Sequence, residues 1–138
     1  MPKIEELEIG QIIATKEFSI TRDSLVRYSG ASGDFNPIHY RDDIAQSVGL
    51  PGVLAHGMLT MGMAIQPVVS WLGDSSKVIE YGVRFTKPVL VSANEPSAVL
   101  VTATVAVLNP ENNQVRIDLT TTFQDTNVLG KAQVLVQL

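Results

Sequence analysis

The 138-residue sequence contains no cysteine. That absence removes a disulfide framework, a thiolate nucleophile and a thiolate metal site together. There is no excess of positive charge either: the formal net charge is −4 and the pI about 5.0, so no nucleic-acid surface is indicated. A membrane-spanning helix needs about 20 predominantly apolar residues, and no such run is present. The longest apolar stretch, Met58 to Leu72, is interrupted by Thr60, Gln66, Pro67 and Ser70 and reads as a buried helix. At the N-terminus, MPKIEE has acids where a signal peptide would carry a basic region and an apolar run. A cytoplasmic location is the expectation. The sequence also lacks a Gly-rich phosphate loop, a His/acid metal spacing and a nucleophile elbow, so no cofactor and no metal ion is expected.

What is there is a globular composition, 45% hydrophobic and 17% charged. No repeat, linker or low-complexity tract divides it, and one domain over residues 1–138 is expected, long enough to bury a core. Thr21 can cap a first helix, with Ile20 stapled onto Leu25, running to about Tyr28. Asp42 and Asp43 begin a second short helix that Gly49 terminates. A longer helix from about Gly57 to Leu72 ends at Gly73; its apolar residues cover nearly every side, as in a fully buried helix, and Pro67 bends it.

Beyond this helix the hydrophobic period changes from 3.6 to 2. Val115, Ile117, Leu119, Thr121 and Phe123 alternate with polar residues, the pattern of a strand with one wet face. Asn112–Asn113 lies between this strand and the run Val99–Leu108, as a hairpin turn does. Val128–Gln137, Val78–Thr86 and, more weakly, Gln11–Phe18 complete a set of about five strands. The predicted class is α+β, an antiparallel sheet wrapped around one long helix. One sheet leaves open edges and an incompletely enclosed helix, so a dimer is expected.

The segment YSGASGDFNPIH, residues 28–39, concentrates the chemistry. On a helix, Asp34 and His39 would point about 140° apart, but Pro37 drives Asn36 to an extended conformation. A curved loop can therefore aim both side chains at one water, giving a proton-transfer pair that works near neutral pH. The same residues are also ordinary turn formers, and an Asp–His pair can simply hold a loop closed. Gly57, at a helix start, offers N–H donors without a side chain in the way, suited either to a developing oxyanion or to tight packing. His56 reads as a hydrogen-bonded loop residue. Met58, Met61 and Met63 read first as core fillers, with the lining of an apolar tunnel as the alternative. Arg84 and Lys87 read as a solvated strand face, with contacts to phosphate groups as the alternative.

Residues 28–39, followed by Ala45, resemble the hydratase-2 motif of the MaoC-like (R)-specific enoyl hydratases and dehydratases. The stretches AHGMLTMG (55–62) and YGVRFTKPV (81–89) are similar to that family too. The similarity extends over essentially the whole chain and is greatest to the catalytic beta-subunit branch of (3R)-hydroxyacyl-carrier-protein dehydratases. It implies a hotdog fold, a dimer with a continuous sheet, and reversible interconversion of trans-2-enoyl and (3R)-3-hydroxyacyl thioesters of coenzyme A or acyl carrier protein. By position, Asp34 and His39 would activate the water and handle the C2 proton, Gly57 N–H would bind the thioester carbonyl, and Asn36 would shape the loop. The dimer partner would be a second copy or a related hotdog subunit. The alternatives are a hotdog acyl thioesterase and a non-catalytic acyl-binding subunit.

Overall fold

The division between a helical middle and a stranded C-terminal half is the division seen in the computed structural model, which describes residues 1–138. After a one-turn 3-10 segment at Ile4–Glu6, strand β1 (Ile12–Ile20) leads into helices α1 (Arg22–Ser32), α2 (Asp42–Ser47), α3 (Gly57–Ala64) and α4 (Gln66–Leu72). Every regular strand that follows belongs to one sheet: β2 (Val78–Phe85), β3 (Ser97–Asn109), β4 (Gln114–Phe123), β5 (Thr126–Asn127) and β6 (Leu129–Gln137). The order is β1-β3-β4-β6-β2, all antiparallel, with the two-residue β5 beside β4. The edges are therefore β1 and β2. An antiparallel sheet packed on a central helix is the hotdog architecture.

Alternation explains which face is inside. Val99, Val101, Ala103 and Val105 of β3, Val115, Ile117 and Leu119 of β4, and Val134 and Val136 of β6 are buried. Each large aliphatic side chain taken out of water contributes roughly 1.5–3 kcal/mol, more than the ~1 kcal/mol net of a ladder hydrogen bond. The inner face thus dominates the stability of the sheet. Asn113, at φ 53°, closes the β3–β4 hairpin in the left-handed region that asparagine tolerates.

Helix α1 begins as expected, with a reciprocal Thr21–Ser24 capping box and with Ile20 and Leu25 both buried. It continues to Ser32, four residues past the expected end. Gly30 stays helical, and the reversal waits for Gly33 at φ 76°, whose N–H donates to Ser29 C=O. The predicted Gly57–Leu72 helix is present as two pieces meeting at Ile65. Pro67 has no N–H to continue the ladder and sits in the first turn of α4.

The helix pair is not buried all round. Thr60, Ala64, Val68 and Leu72 are buried against the sheet, whereas Met58 is 59% exposed and Met61 and Met63 are half-buried. The reason is geometric: within one chain the sheet covers only one side of the helix. No helix is long and apolar enough to cross a membrane.

Candidate active site

The loop after α1 is built from successive side-chain-to-backbone turns. Asn36 N–H donates to Asp34 Oδ1 (3.1 Å), and Ile38 N–H donates to Asn36 Oδ1 (3.3 Å). Asn36 is extended, as the following proline requires, and Pro37 opens a one-turn 3-10 segment that ends at His39. Asn36 therefore caps this turn and does not line the cavity described below.

The turn delivers His39 inward, where Nδ1 lies 2.7 Å from Leu54 C=O. A carbonyl only accepts, so Nδ1 carries a proton, and in the neutral ring Nε2 is then the bare nitrogen. That bare Nε2 faces Asp34 Oδ2 at 3.9 Å, with His39 buried and the Asp34 side chain half exposed. Leu54 N–H in turn donates to Ile38 C=O (3.3 Å), and residues 53–55 run antiparallel to residues 89–91 through Ala55 N–H to Val89 C=O and Val91 N–H to Val53 C=O. His39 is thereby aimed by the chain segment opposite its own loop.

Beneath His39 lies the only other histidine of the chain. The His56 ring stacks on His39 with centroids 3.8 Å apart and planes 21° apart, and Tyr28 meets it edge-on at 4.7 Å. His56 Nε2 is 3.1 Å from Ser29 Oγ and 3.3 Å from Asp34 C=O. Burial, and then the neighbouring His39, hold the His56 pKa below its ordinary value. Asp34, His39 and His56 bring ligand-type atoms within 4.8 Å of one another.

Asp34, His39, Gly57, Met58, Phe85 and Val128 line part of a cavity of about 480 Å³ whose walls are largely apolar. Gly57 is the first residue of α3, and neither its N–H nor that of Met58 is satisfied within the chain. Unpaired N–H groups at a helix start carry partial positive charge toward the cavity. Met58, read from sequence as core, is a cavity wall. Lys87 borders the same cavity and Arg84 does not.

Two contributors escaped the sequence reading. Phe85 packs against Gly57 as a wall, which no periodicity announces. His56 was visible as the residue preceding Gly57, but its position under His39 depends on a contact across the fold.

A separate knot holds the segment's ends. Arg22 Nη2 pairs with Asp42 Oδ1 (2.9 Å), Arg22 Nε donates to Val91 C=O (2.7 Å), and Val53 N–H donates to the same Asp42 oxygen (3.0 Å). The Val53 N–H first, and the Arg22 guanidinium second, hold the Asp42 carboxyl below its ordinary range. A larger groove of about 610 Å³ adjoins this knot, but none of Asp34, His39 or Gly57 reaches it.

Comparison with known proteins agrees with the architecture. Residues 5–122 match the MaoC like domain family. The (R)-specific enoyl-CoA hydratase of Rhodospirillum rubrum is 29% identical over 96% of this chain and 90% of that protein. The 3-hydroxyacyl-thioester dehydratase X of Mycobacterium tuberculosis is 39% identical over 54% of this chain, a match that spans only 25% of that longer protein. A solved MaoC-like dehydratase superposes with a TM-score of 0.95 at 33% identity, over 99% of this chain and 42% of that one.

Proposed function

The chain belongs to the MaoC-like domain family, and from that premise we propose that it is a hydro-lyase interconverting trans-2-enoyl and (3R)-3-hydroxyacyl thioesters. The observation that carries the reading is the placement of Asp34 Oδ2 and His39 Nε2, 3.9 Å apart on the wall of a largely apolar cavity. That gap is too long for a direct hydrogen bond and suits a water accepted by both groups at about 2.8 Å each.

Hydration then balances within the pair. The water oxygen bonds to C3 as one of its protons passes to the Asp34–His39 pair, and the pair returns a proton to C2. His39 enters as the acceptor because its Nδ1 proton is engaged by Leu54. The two groups act together and are described as one coupled unit. Electron density displaced from the double bond collects on the thioester oxygen, where Gly57 N–H at the start of α3 is free to donate. Preorganised donors of this kind are worth about 10²–10³ in rate each. Dehydration is the same path reversed.

The acyl chain is assigned to the cavity lined by Met58, Phe85 and Val128, and the carrier is coenzyme A or acyl carrier protein, which share one thioester arm. The chain works as one domain in the cytoplasm and as a dimer, with itself or with a related hotdog subunit. Its exposed Met58 on α3, and Ile79 and Phe85 on edge strand β2, support the dimer.

Turnover of C4 to C16 enoyl thioesters by the purified chain, with solution mass measured alongside, tests the reading. Loss of enoyl absorbance with the thioester intact is expected. Release of free thiol would assign the site to thioester hydrolysis, and no turnover at any length would assign it to acyl binding alone.

A further inference from the structure

We propose that His56 is a positioning residue for the Asp34–His39 pair, its ring a shelf under the His39 imidazole and its Nε2–H a tether on the Asp34 backbone carbonyl. The proposal rests on the hydratase reading of that pair. Three observations carry it. The two imidazoles are stacked at 3.8 Å and 21°. The Asp34 carbonyl, 3.3 Å from His56 Nε2, accepts only, and Ser29 Oγ, 3.1 Å away, can accept too, so a proton on Nε2 serves both contacts. With that proton placed, His56 Nδ1 is a bare lone pair, buried and without a partner.

The arrangement so assigned is complementary: His56 carries its proton on Nε2, and His39 carries one on Nδ1. Each ring donates to a main-chain carbonyl, of Asp34 and of Leu54 respectively. One ring therefore touches both members of the pair. The groups facing His56 are Asp34 and His39 from the loop and Ser29 and Tyr28 from α1. None is a carboxylate hydrogen-bonded to its ring, and its burial disfavours the charged form, so no positive charge is brought under His39. A histidine kept only for packing would need neither a defined tautomer nor a hydrogen bond to the backbone of the loop it supports.

The test has one arm that needs no substrate. Nitrogen NMR of the isotope-labelled resting protein assigns each ring's tautomer; His56 at Nε2–H and His39 at Nδ1–H are expected, and a His56 proton on Nδ1 overturns the proposal. The second arm compares His56→Phe, which keeps the shelf without the tether, with His56→Gln, which keeps a donor without the shelf. Displacing a reacting group by about 1 Å costs on the order of 100-fold. Both variants are therefore expected to lose tens of fold in kcat with KM changed less than about threefold, the signature of a lost transition-state geometry. The His39 tautomer should become mixed in each. Wild-type kcat and an unchanged His39 tautomer in both folded variants would overturn the idea. Should a variant fail to fold, the wild-type tautomers decide. An inactive wild type would defeat the hydratase reading and leave the tautomer arm still decisive for the positioning.

Discussion

A β-carbon built on Gly57 falls 2.9 Å from two ring atoms of Phe85, closer than carbon atoms approach in folded proteins. The ring that limits Gly57 is 56% exposed in the single chain, so the contact is with a side chain and not with fixed backbone. The cost of occupying that space is then chiefly one of geometry at the start of α3.

Gly57→Ala is therefore expected to fold, losing no more than about 1–3 kcal/mol of stability, the usual range for overpacking. Its hydratase turnover should fall more sharply than its stability, because the displaced ring and the new methyl both crowd the free N–H. Adding Phe85→Ala should restore part of the stability. Chemical denaturation and enoyl-thioester turnover of the two single variants and the double variant measure this; strictly additive stability losses would contradict a shared contact.

Asp34→Asn and His39→Ala should each reduce hydration by about 10²–10⁴-fold, the usual contribution of a positioned acid or base. Removing His39 also leaves Leu54 C=O without its donor, a loss of about 1 kcal/mol, so that variant should be slightly less stable than Asp34→Asn. Turnover together with circular dichroism separates the two effects. Wild-type turnover in either variant would remove the pair from the mechanism.

Acidification provides a third check. His56 has its folded-state pKa lowered by burial and by His39. The unfolded chain therefore takes up a proton at this residue at a pH where the folded chain does not. Stability should be complete above the unfolded value of about 6.5 and decline as the pH falls from there through the folded value. His56→Gln should remove this segment of the pH dependence, read as denaturation midpoints across pH 7 to 5.

Asp42 acts lower on the scale with the same sign. Its carboxyl is held down by Val53 N–H and Arg22, so its stabilisation is present above about pH 4, the unfolded carboxylate value, and is lost as the pH drops further. The side chain is 47% exposed, and water screens the pair to at most about 1 kcal/mol. Asp42→Asn should be modestly less stable than wild type at neutral pH, with the difference closing toward pH 3 and shrinking in high salt.

How much of this was legible in the sequence depends on the distance over which each feature is decided. The strands were legible, since Val115, Ile117 and Leu119 announce a buried face by period alone. So was the start of α3, since Gly57 opens an apolar run. The end of α1 was not: the helix was expected to run to about Tyr28, yet it continues until Gly33 takes the left-handed backbone that stops it. The one-sided burial of the central helix was legible as well, because one sheet cannot enclose a helix that is apolar all round. His56 was undervalued for a different reason. Its neighbours Ser29, Asp34 and His39 come from other parts of the chain, and no local spacing encodes a ring stack.

The anchoring of His39 on Leu54 C=O separates the residue's carrier from its calibrator. The side chain is supplied by a loop of polar turns, but its aim is referenced to the strand-like ladder between residues 53–55 and 89–91. Asp34, half exposed, takes its aim from the loop turns and from the His56 contact on its backbone carbonyl. A change in the loop turns is therefore expected to move the carboxylate more than the imidazole.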